Sequence, residues 1–525
     1  MKPVAALAIL DTTLRDGAQG EGVGFSLDDK LKIAQALDAL GIAYIEGGNP
    51  FSNPKDAQFF KLAPSRMTRA KLAAFGSTMR PGGDPSQDPG LKALVDSQAP
   101  VISVFGKGSL FHVTHVLRTT PEENLRMIRE SVAFLCQSGR EVLFDAEHFF
   151  DGWQEDAAYA RQCLKAAQEG GAACLILCDT NGGALPDDVV RIVRELQSDF
   201  TLPLGIHCHN DCGLAVANTL MAVKAGCQHV QGTIGGVGER CGNGDLCTLL
   251  PCLQLKMGYN CIPVEAMAKL TTTARYIQEV MNLAPNQRAP FVGHSAFAHK
   301  AGMHIDGVIK NTRAFEHLPP EAVGNQRRFL LSEQTGRTGV AARLERLLPD
   351  VKKGSPEMDK LLARLKEKEM RGYTYENADA SFELLALDTL GRRRRFFEVV
   401  DFHVLSALSQ NLVHRDKSAQ AYIKIQVDGR EEINAAEGDG PINALDKALR
   451  KTLAVFYPCL NKMRLSDFKV RVLDSGGTAS TVRVSIESTD GAHVWSTVGV
   501  SSNMIQACMK ALSDSVDYLL TNYQP

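Results

Sequence analysis

CLILCDTNGGALPDDVVRIVRELQSDFTLPLGIHCHND, residues 174–211, contains the pattern that sets the architecture. Cys174–Cys178 is an apolar run of strand length. Asp187–Gln197 repeats apolar residues at helical spacing. Leu202–His209 is a second strand-like run that ends in polar residues. A strand, a helix and a strand in this order predict a parallel pair joined by a helical crossover. The same alternation extends in both directions. Upstream, Ala5–Leu10, Tyr44–Glu46, Leu72–Gly76, Val101–Phe105 and Glu141–Asp145 read as strands, and downstream so does His229–Thr233. Leu27–Leu40, Pro121–Gln137, Glu155–Glu169 and Gly213–Lys224 read as helices, with Gly41, Gly139, Gly171 and Gly226 where helices stop. Eight strands alternating with helices predict a (β/α)8 TIM barrel over residues 1–285. An open doubly wound sheet is the structural alternative, but no Gly-rich dinucleotide loop follows the first strand.

Beyond the barrel the pattern loosens. Residues 286–392 hold GHSAFAHKAGMHIDG and the charged helical stretch Met358–Met370, and read as a linker with small helical subdomains. Arg392–Arg395 predicts a solvated boundary or a subunit contact. Residues 393–525 change to period-2 runs at Ala421–Val427, Phe468–Val472 and Thr481–Ile486. They also contain a weak repeat, because Ala421–Leu449 resembles Thr481–Leu512. Each copy reads as strand, Asp-Gly turn, strand, then a loop opening a helix that ends in Lys-Ala-Leu. The expectation is a pseudo-symmetric α+β domain suited to dimerisation and effector binding.

The 525 residues are 44% hydrophobic and 22% charged, with a net charge of −2. That balance suits a globular protein and gives no reason to expect nucleic acid or an acidic membrane as a partner. The N-terminus, MKPVAALAILDTTLRDG, reads as a first strand and not as a signal peptide. With no long apolar span, the expected location is cytoplasmic. The 13 cysteines, spaced CxxxC at 174/178 and 208/212, read as reduced core thiols.

The chemistry gathers at predicted strand ends, which in a barrel face the active site. Arg15 and Asp16 lie in DTTLRDG after the first strand. The carboxylate can ligate a hard cation, and the guanidinium can stabilise a developing oxyanion. Such pairs are equally common as surface ion pairs. His207 and His209 alternate with Cys208, so the two imidazoles share a strand face and form a metal-ligand pair, while Cys208 packs away from them. Two hydrogen-bonded core histidines are the alternative. GGVGERCGNG, residues 235–244, lets the backbone approach a ligand, and its Asn243 can add an oxygen donor. Glu147 in FDAEHFF and Thr180 in LCDTNGG sit after two further strands, and Glu46 is a candidate partner for Arg15. In the His-rich segment, His304 is the candidate proton carrier over His294 and His299.

DTTLRDGAQG, DAEHFFDG, CDTNGG, HCHNDCGLAVANT, GGVGERCGNGDL and SAFAHKAGMH together resemble the 2-isopropylmalate, homocitrate and citramalate synthase family across nearly the whole chain. IEGGNPFSNPKD, FGSTMRPGG and VFGKGSLFHVT are most similar to its pyruvate-using branch. The resemblance implies a Claisen-type condensation of acetyl-CoA, an acyl transfer that converts acyl to alkyl. With pyruvate it would serve isoleucine synthesis. It further implies a divalent metal (Zn, Mn or Mg) on Asp16, His207, His209 and Asn243. Arg15, Glu147 and His304 would be catalytic, and Arg15, Thr180 and Glu46 would bind substrate. The protein would be a homodimer with isoleucine as effector. One departure is Phe315, where family members often carry Tyr, so an acid role there would fall to His304 or water. Use of another 2-oxo acid, as in the 2-isopropylmalate or homocitrate synthases, is the nearer alternative; a hydroxymethylglutaryl-CoA lyase-like enzyme is the more distant one, and the C-terminal repeat domain argues against it. A vestigial barrel serving as an amino-acid sensor is less consistent with the intact DTTLRD, HCHND and GERCGN set.

Overall fold

The computed structural model describes residues 6–330, 337–344, 347–406, 419–474, 480–491 and 493–522. The chain divides into two compact units. One is Met1–Phe297 with Leu318–Arg327, and the other is Ala298–His317 with Arg328–Pro525.

The first unit is built on a closed barrel of eight parallel strands in chain order. These are β1 (Ala8–Asp11), β2 (Tyr44–Gly48), β3 (Lys71–Ser77), β4 (Val101–Lys107), β5 (Glu141–Glu147), β6 (Cys174–Asp179), β7 (Leu204–Cys208) and β8 (His229–Gly232). β8 closes onto β1 with Ala8 opposite His229 and Asp11 opposite Gly232. The first strand begins later than the expected Ala5–Leu10, and Ala5 lies outside the described residues. The crossovers are α1 (Leu27–Leu40), α2 (Pro54–Leu62), α3 (Pro89–Asp96), α4 (Pro121–Gln137), α5 (Phe149–Gly170), α6 (Pro186–Gln197) and α7 (Ala215–Ala225). α8 (Leu246–Pro251) follows β8.

Local chemistry explains the element ends. Ser26 and Asp29 form a reciprocal capping box on α1, and Gly41 ends it at φ 88°, a left-handed conformation that costs glycine least. α5 starts before the expected Glu155, but its backbone breaks at Asp156 (φ −152°). There the Asp156 carboxylate accepts the Tyr159 N–H at 2.9 Å, so a second helical start lies close to the expected one.

Strand alternation divides the apolar side chains between two cores. Leu10, Ala73, Val101, Leu143, Cys174, Ile176 and Cys178 fill the barrel interior. Ile9, Ala74, Val104, Phe144, Leu177, Ile206 and Cys208 face the helical shell. Each large apolar side chain withdrawn from water contributes about 2 kcal/mol, so the pattern resists a one-residue register slip. The interior is therefore mainly apolar below, and most of its polar groups gather toward the strand C-termini.

The second unit opens with a short parallel pairing of Arg328–Phe329 with Ala298–His299. The helices Gly302–Lys310, Pro356–Met370 and Asp379–Thr389 belong to it as well. Two three-stranded antiparallel sheets follow. Glu398–Ser406, Ala419–Val427 and Arg430–Gly438 precede the helix Pro441–Leu453. Arg464–Val472, Val482–Thr489 and Val494–Ser501 precede the helix Met504–Asn522. Each copy of the repeat thus has three strands and a helix. In the first, Asp428 (φ 49°) and Gly429 (φ 82°) make the hairpin turn. Arg392–Arg395 is not merely a solvated boundary. Arg393 is mostly buried and donates to Asp514 at 2.9 Å and Asp517 at 2.6 Å, because its charge is matched by two carboxylates of the last helix. Among the described residues no helix is long and apolar enough to cross a membrane. The cysteines are free thiols.

Candidate active site

At the C-terminal mouth of the barrel lies a cavity of about 220 Å3 lined by Arg15, Asp16, Phe75, Phe105, Asp145, Glu147, Thr180, His207, His209 and Arg240 among others. His207 and Cys208 end β7. Residue alternation turns His207 inward, and Cys208 goes to the shell at 1% exposure. His209 continues the same face and forms a bridge with Asn243, which brings the GERCGN loop to its side. Asp16 arrives from the turn after β1, where three successive N–H groups, from Arg15, Asp16 and Gly17, point at the Thr12 carbonyl.

Asp16, His207 and His209 offer one carboxylate oxygen and two ring nitrogens that all lie within 4.8 Å of one another. His207 Nε2 is 3.5 Å and His209 Nε2 3.8 Å from the same Asp16 oxygen, and the two nitrogens are 3.4 Å apart. The Asn243 side-chain amide donates to Asp16 Oδ1 at 3.0 Å and to the Val237 carbonyl at 3.2 Å. Its own oxygen is buried with no hydrogen-bond partner. A buried polar atom left unpaired is costly, and a cation bound by the adjacent groups would satisfy it. One carboxylate, two imidazoles and an amide oxygen are a donor set that fits a divalent transition metal.

The electrostatics agree with that chemistry. Burial alone would raise the Asp16 carboxyl, but Arg15 and His207 hold it well below the usual carboxylate range. Burial and the neighbouring His207 bring His209 down to about 4, so its ring is neutral at pH 7. For His207 burial works downward, and the hydrogen bond and charge of Asp16 outweigh it and raise its pKa.

Arg15 is fixed on three sides. Its Nε donates to Glu46 at 2.6 Å, a terminal nitrogen lies 3.1 Å from Asp16, and the guanidinium sits 3.8 Å over the Phe75 ring. Phe75 in turn stacks on Phe105 at 5.2 Å. Burial opposes the Arg15 charge, but Glu46 and Asp16 more than offset it. Glu46 is 0% exposed, and burial raises its pKa against the pull of Arg15. Glu147 pairs with Lys107 at the rim. The Thr180 hydroxyl oxygen accepts the His148 N–H at 2.8 Å, and Arg240 donates to the Thr180 carbonyl at 2.8 Å.

The structure thus gathers Arg15, Asp16, Glu46, Glu147, Thr180, His207, His209 and Asn243 at one mouth. His304 lies in the second unit, exposed, with its ring stacked on Phe315 at 4.2 Å. His299, in the same unit, is buried against Glu316 at 3.1 Å. Sequence reasoning missed Phe75, Phe105, Lys107, Asp145, Gln231 and Arg240. Phe75, Phe105 and Asp145 lay inside predicted strands. An inward parity count from a strand-end ligand was the available signal for them.

The HMGL-like family model matches residues 6–278, which span the whole barrel. The post-HMGL domain-like model of homocitrate synthase matches residues 291–372, and the LeuA allosteric (dimerisation) domain matches residues 376–520. The chain is 47% identical to the (R)-citramalate synthase of Geobacter sulfurreducens, over 98% of each chain. It is 48% identical to that of Aquifex aeolicus, over 98% of this chain and 97% of the relative. Identity to the Synechocystis enzyme is 46%, over 98% of this chain and 96% of the relative. The chain belongs to the family of the (R)-citramalate synthases.

Proposed function

We propose that this chain condenses acetyl-CoA with pyruvate to give (R)-citramalate and free CoA. The observation that carries the reading is the near full-length identity to enzymes of that name. The small cavity walled by Phe75 and Phe105 supports it, because a methyl ketone needs less room than a branched oxo acid. Asp16, His207, His209 and Asn243 would hold a divalent metal, Zn, Mn or Mg, which when bound supplies Lewis acidity toward the ketone oxygen.

The chain's own residues do the rest. His304 is our candidate for the base that takes a proton from the acetyl methyl group. The resulting carbon forms a bond to C2 of pyruvate, and the ketone oxygen receives the electron pair. Arg15 answers that charge with a guanidinium that is already oriented, so no reorganisation accompanies the step. The Thr180 oxygen is engaged by His148, so its hydroxyl proton can be given to the pyruvate carboxylate. Glu147, held by Lys107, takes part in proton transfer, and His304 or a water returns a proton to the former ketone oxygen, which becomes the product's hydroxyl. Water then cleaves the thioester, releasing the CoA thiol and making the sequence irreversible.

Residues 376–520 are read as the part that pairs two copies and takes isoleucine, the end product this route would serve. The helix Pro441–Leu453 supports the effector role. Its N-cap Gly440 supplies no side-chain cap and Pro441 has no N–H, so the N–H groups of Ile442 and Asn443 are those a carboxylate would take.

The test is a thiol-release assay with acetyl-CoA against a panel of 2-oxo acids. Pyruvate is expected to lead in kcat/KM over 2-oxoisovalerate and 2-oxoglutarate. A preference for 2-oxoisovalerate would make isopropylmalate formation the activity instead.

A further inference from the structure

Behind His207 runs a buried polar chain that the reaction as read above leaves without a task. His207 Nδ1 lies 2.8 Å from Gln231 Oε1. The Gln231 amide nitrogen donates to Asp145 Oδ1 at 2.9 Å, and the Ser103 hydroxyl donates to Asp145 Oδ2 at 2.8 Å. Exposure is 1% at Gln231, 4% at Asp145 and 0% at Ser103. The three come from β8, β5 and β4, so no single turn or loop accounts for their meeting. Polar side chains inside a barrel that is otherwise apolar are costly unless every group is paired. Leu10, Val101, Leu143 and Ile176 show that apolar filling was available nearby.

Direction can be read along the chain. With Asp145 ionised, its Oδ1 accepts from Gln231, so the Gln231 amide presents N–H to Asp145 and its carbonyl to His207. A carbonyl oxygen cannot donate. His207 must therefore hold a proton on Nδ1, so Nε2, which faces Asp16 and His209, is the nitrogen that would ligate a cation once it gives up the proton it shares with Asp16. We propose that Gln231, backed by Asp145 and Ser103, is a positioning residue that fixes the ring plane and tautomer of His207 for metal ligation. The inference rests on the metal reading of Asp16, His207 and His209 given above. A partner on the distal nitrogen of a ligating histidine typically accounts for about 10–100-fold in metal affinity.

The experiment measures zinc affinity of the metal-stripped full-length protein by competition with a chromophoric chelator. Wild type, His207→Ala, Gln231→Met and Gln231→Glu are compared. Gln231→Met is expected to bind zinc about 10–100-fold more weakly with its thermal unfolding still cooperative. Gln231→Glu keeps an acceptor for Nδ1 and is expected to recover most of the affinity. The cobalt-loaded wild type should show a shifted, slowly exchanging imidazole N–H proton that Gln231→Met loses. A role in packing alone would leave that signal in place. Should Gln231→Met not fold, Gln231→Asn withdraws the same amide from Nδ1, and the same loss is expected. Zinc binding abolished by His207→Ala but unchanged in the Gln231 variants would overturn the relay and leave the metal site standing. Zinc binding unchanged in His207→Ala would overturn the metal reading, and the relay with it.

Discussion

Arg15 has almost no freedom: Glu46, Asp16 and the Phe75 ring hold it on three sides. Lysine keeps the charge but loses the planar fork that makes those contacts together. Arg15→Lys should lower kcat by about two orders of magnitude with little loss of metal, the size expected when an oxyanion donor is removed. A near wild-type kcat would show that the guanidinium is structural. His229 offers a different test. It is 3% exposed at the start of β8, its Nε2 has no hydrogen-bond partner, and burial lowers its pKa from 6.5 to about 4. The folded state therefore keeps the neutral ring, and the unfolded chain takes up a proton first as pH falls. This contribution to stability is complete above pH 6.5 and is lost toward pH 4. Between pH 7.5 and pH 5 it amounts to about 2 kcal/mol. Urea midpoints across that range should fall less steeply for His229→Leu than for wild type, and equal slopes would reject the assignment. Arg15 and the histidines could be found in the sequence because they sit in polar clusters at strand ends. Gln231 lay two residues inside the predicted end of its strand, and only its inward parity marked it.

β7 makes its own prediction, since three consecutive positions have alternating fates. His207→Ala and His209→Ala should each lose bound metal while the barrel stays folded, and Cys208→Ala should change activity little. Full metal occupancy by elemental analysis in both histidine variants would overturn the ligand assignment. Cys208→Ala removes only one small atom from the helical shell, so its stability cost should be about 1 kcal/mol or less. The long crossovers α1, α4 and α6 were legible because several turns of periodicity repeat in each. α2 and α3 have only nine and eight residues, too few for that signal. Their starts were written in caps instead, Asn53 before Pro54 and Asp88 before Pro89. The strand Glu398–Ser406 escaped because its residues are largely exposed and its apolar positions do not alternate cleanly.

For the whole chain, regulation and folding have to be separated with care. The helix Asp379–Thr389 puts Ala380 and Leu384 into the same core as the two sheets that follow, and its Ser381 hydroxyl accepts the Val498 N–H at 2.9 Å. A truncation after Gly391 would strip that helix of its partners, so a loss of activity there would not isolate control. The intact protein gives the cleaner test. Isoleucine should lower turnover without raising the KM for pyruvate, because a separate site changes the catalyst and does not compete for it. Sedimentation should show a dimer. Calorimetry with no heat of isoleucine binding would remove it as the effector and make leucine the next to test. The duplication in residues 393–525 was legible because both copies share a turn and a helix ending. The ties of Arg393 to Asp514 and Asp517 join residues 121 and 124 positions apart, a distance at which local pattern carries no information.

The closure of the barrel has a consequence in time. β1 pairs with β8, the Thr13 hydroxyl accepts the Ile234 N–H 221 residues later, and Asp16 meets Asn243 227 residues away. At about 5–20 residues per second, a ribosome needs roughly 10–50 seconds to deliver those partners after the first strand has emerged. Throughout that interval Ile9 and Leu10 have no neighbour on one side, and Asp16 has neither histidine nor Asn243 beside it. The nascent chain must therefore shelter its earliest strand longest, and Asp16 meets Asn243 only when more than two hundred further residues have been made.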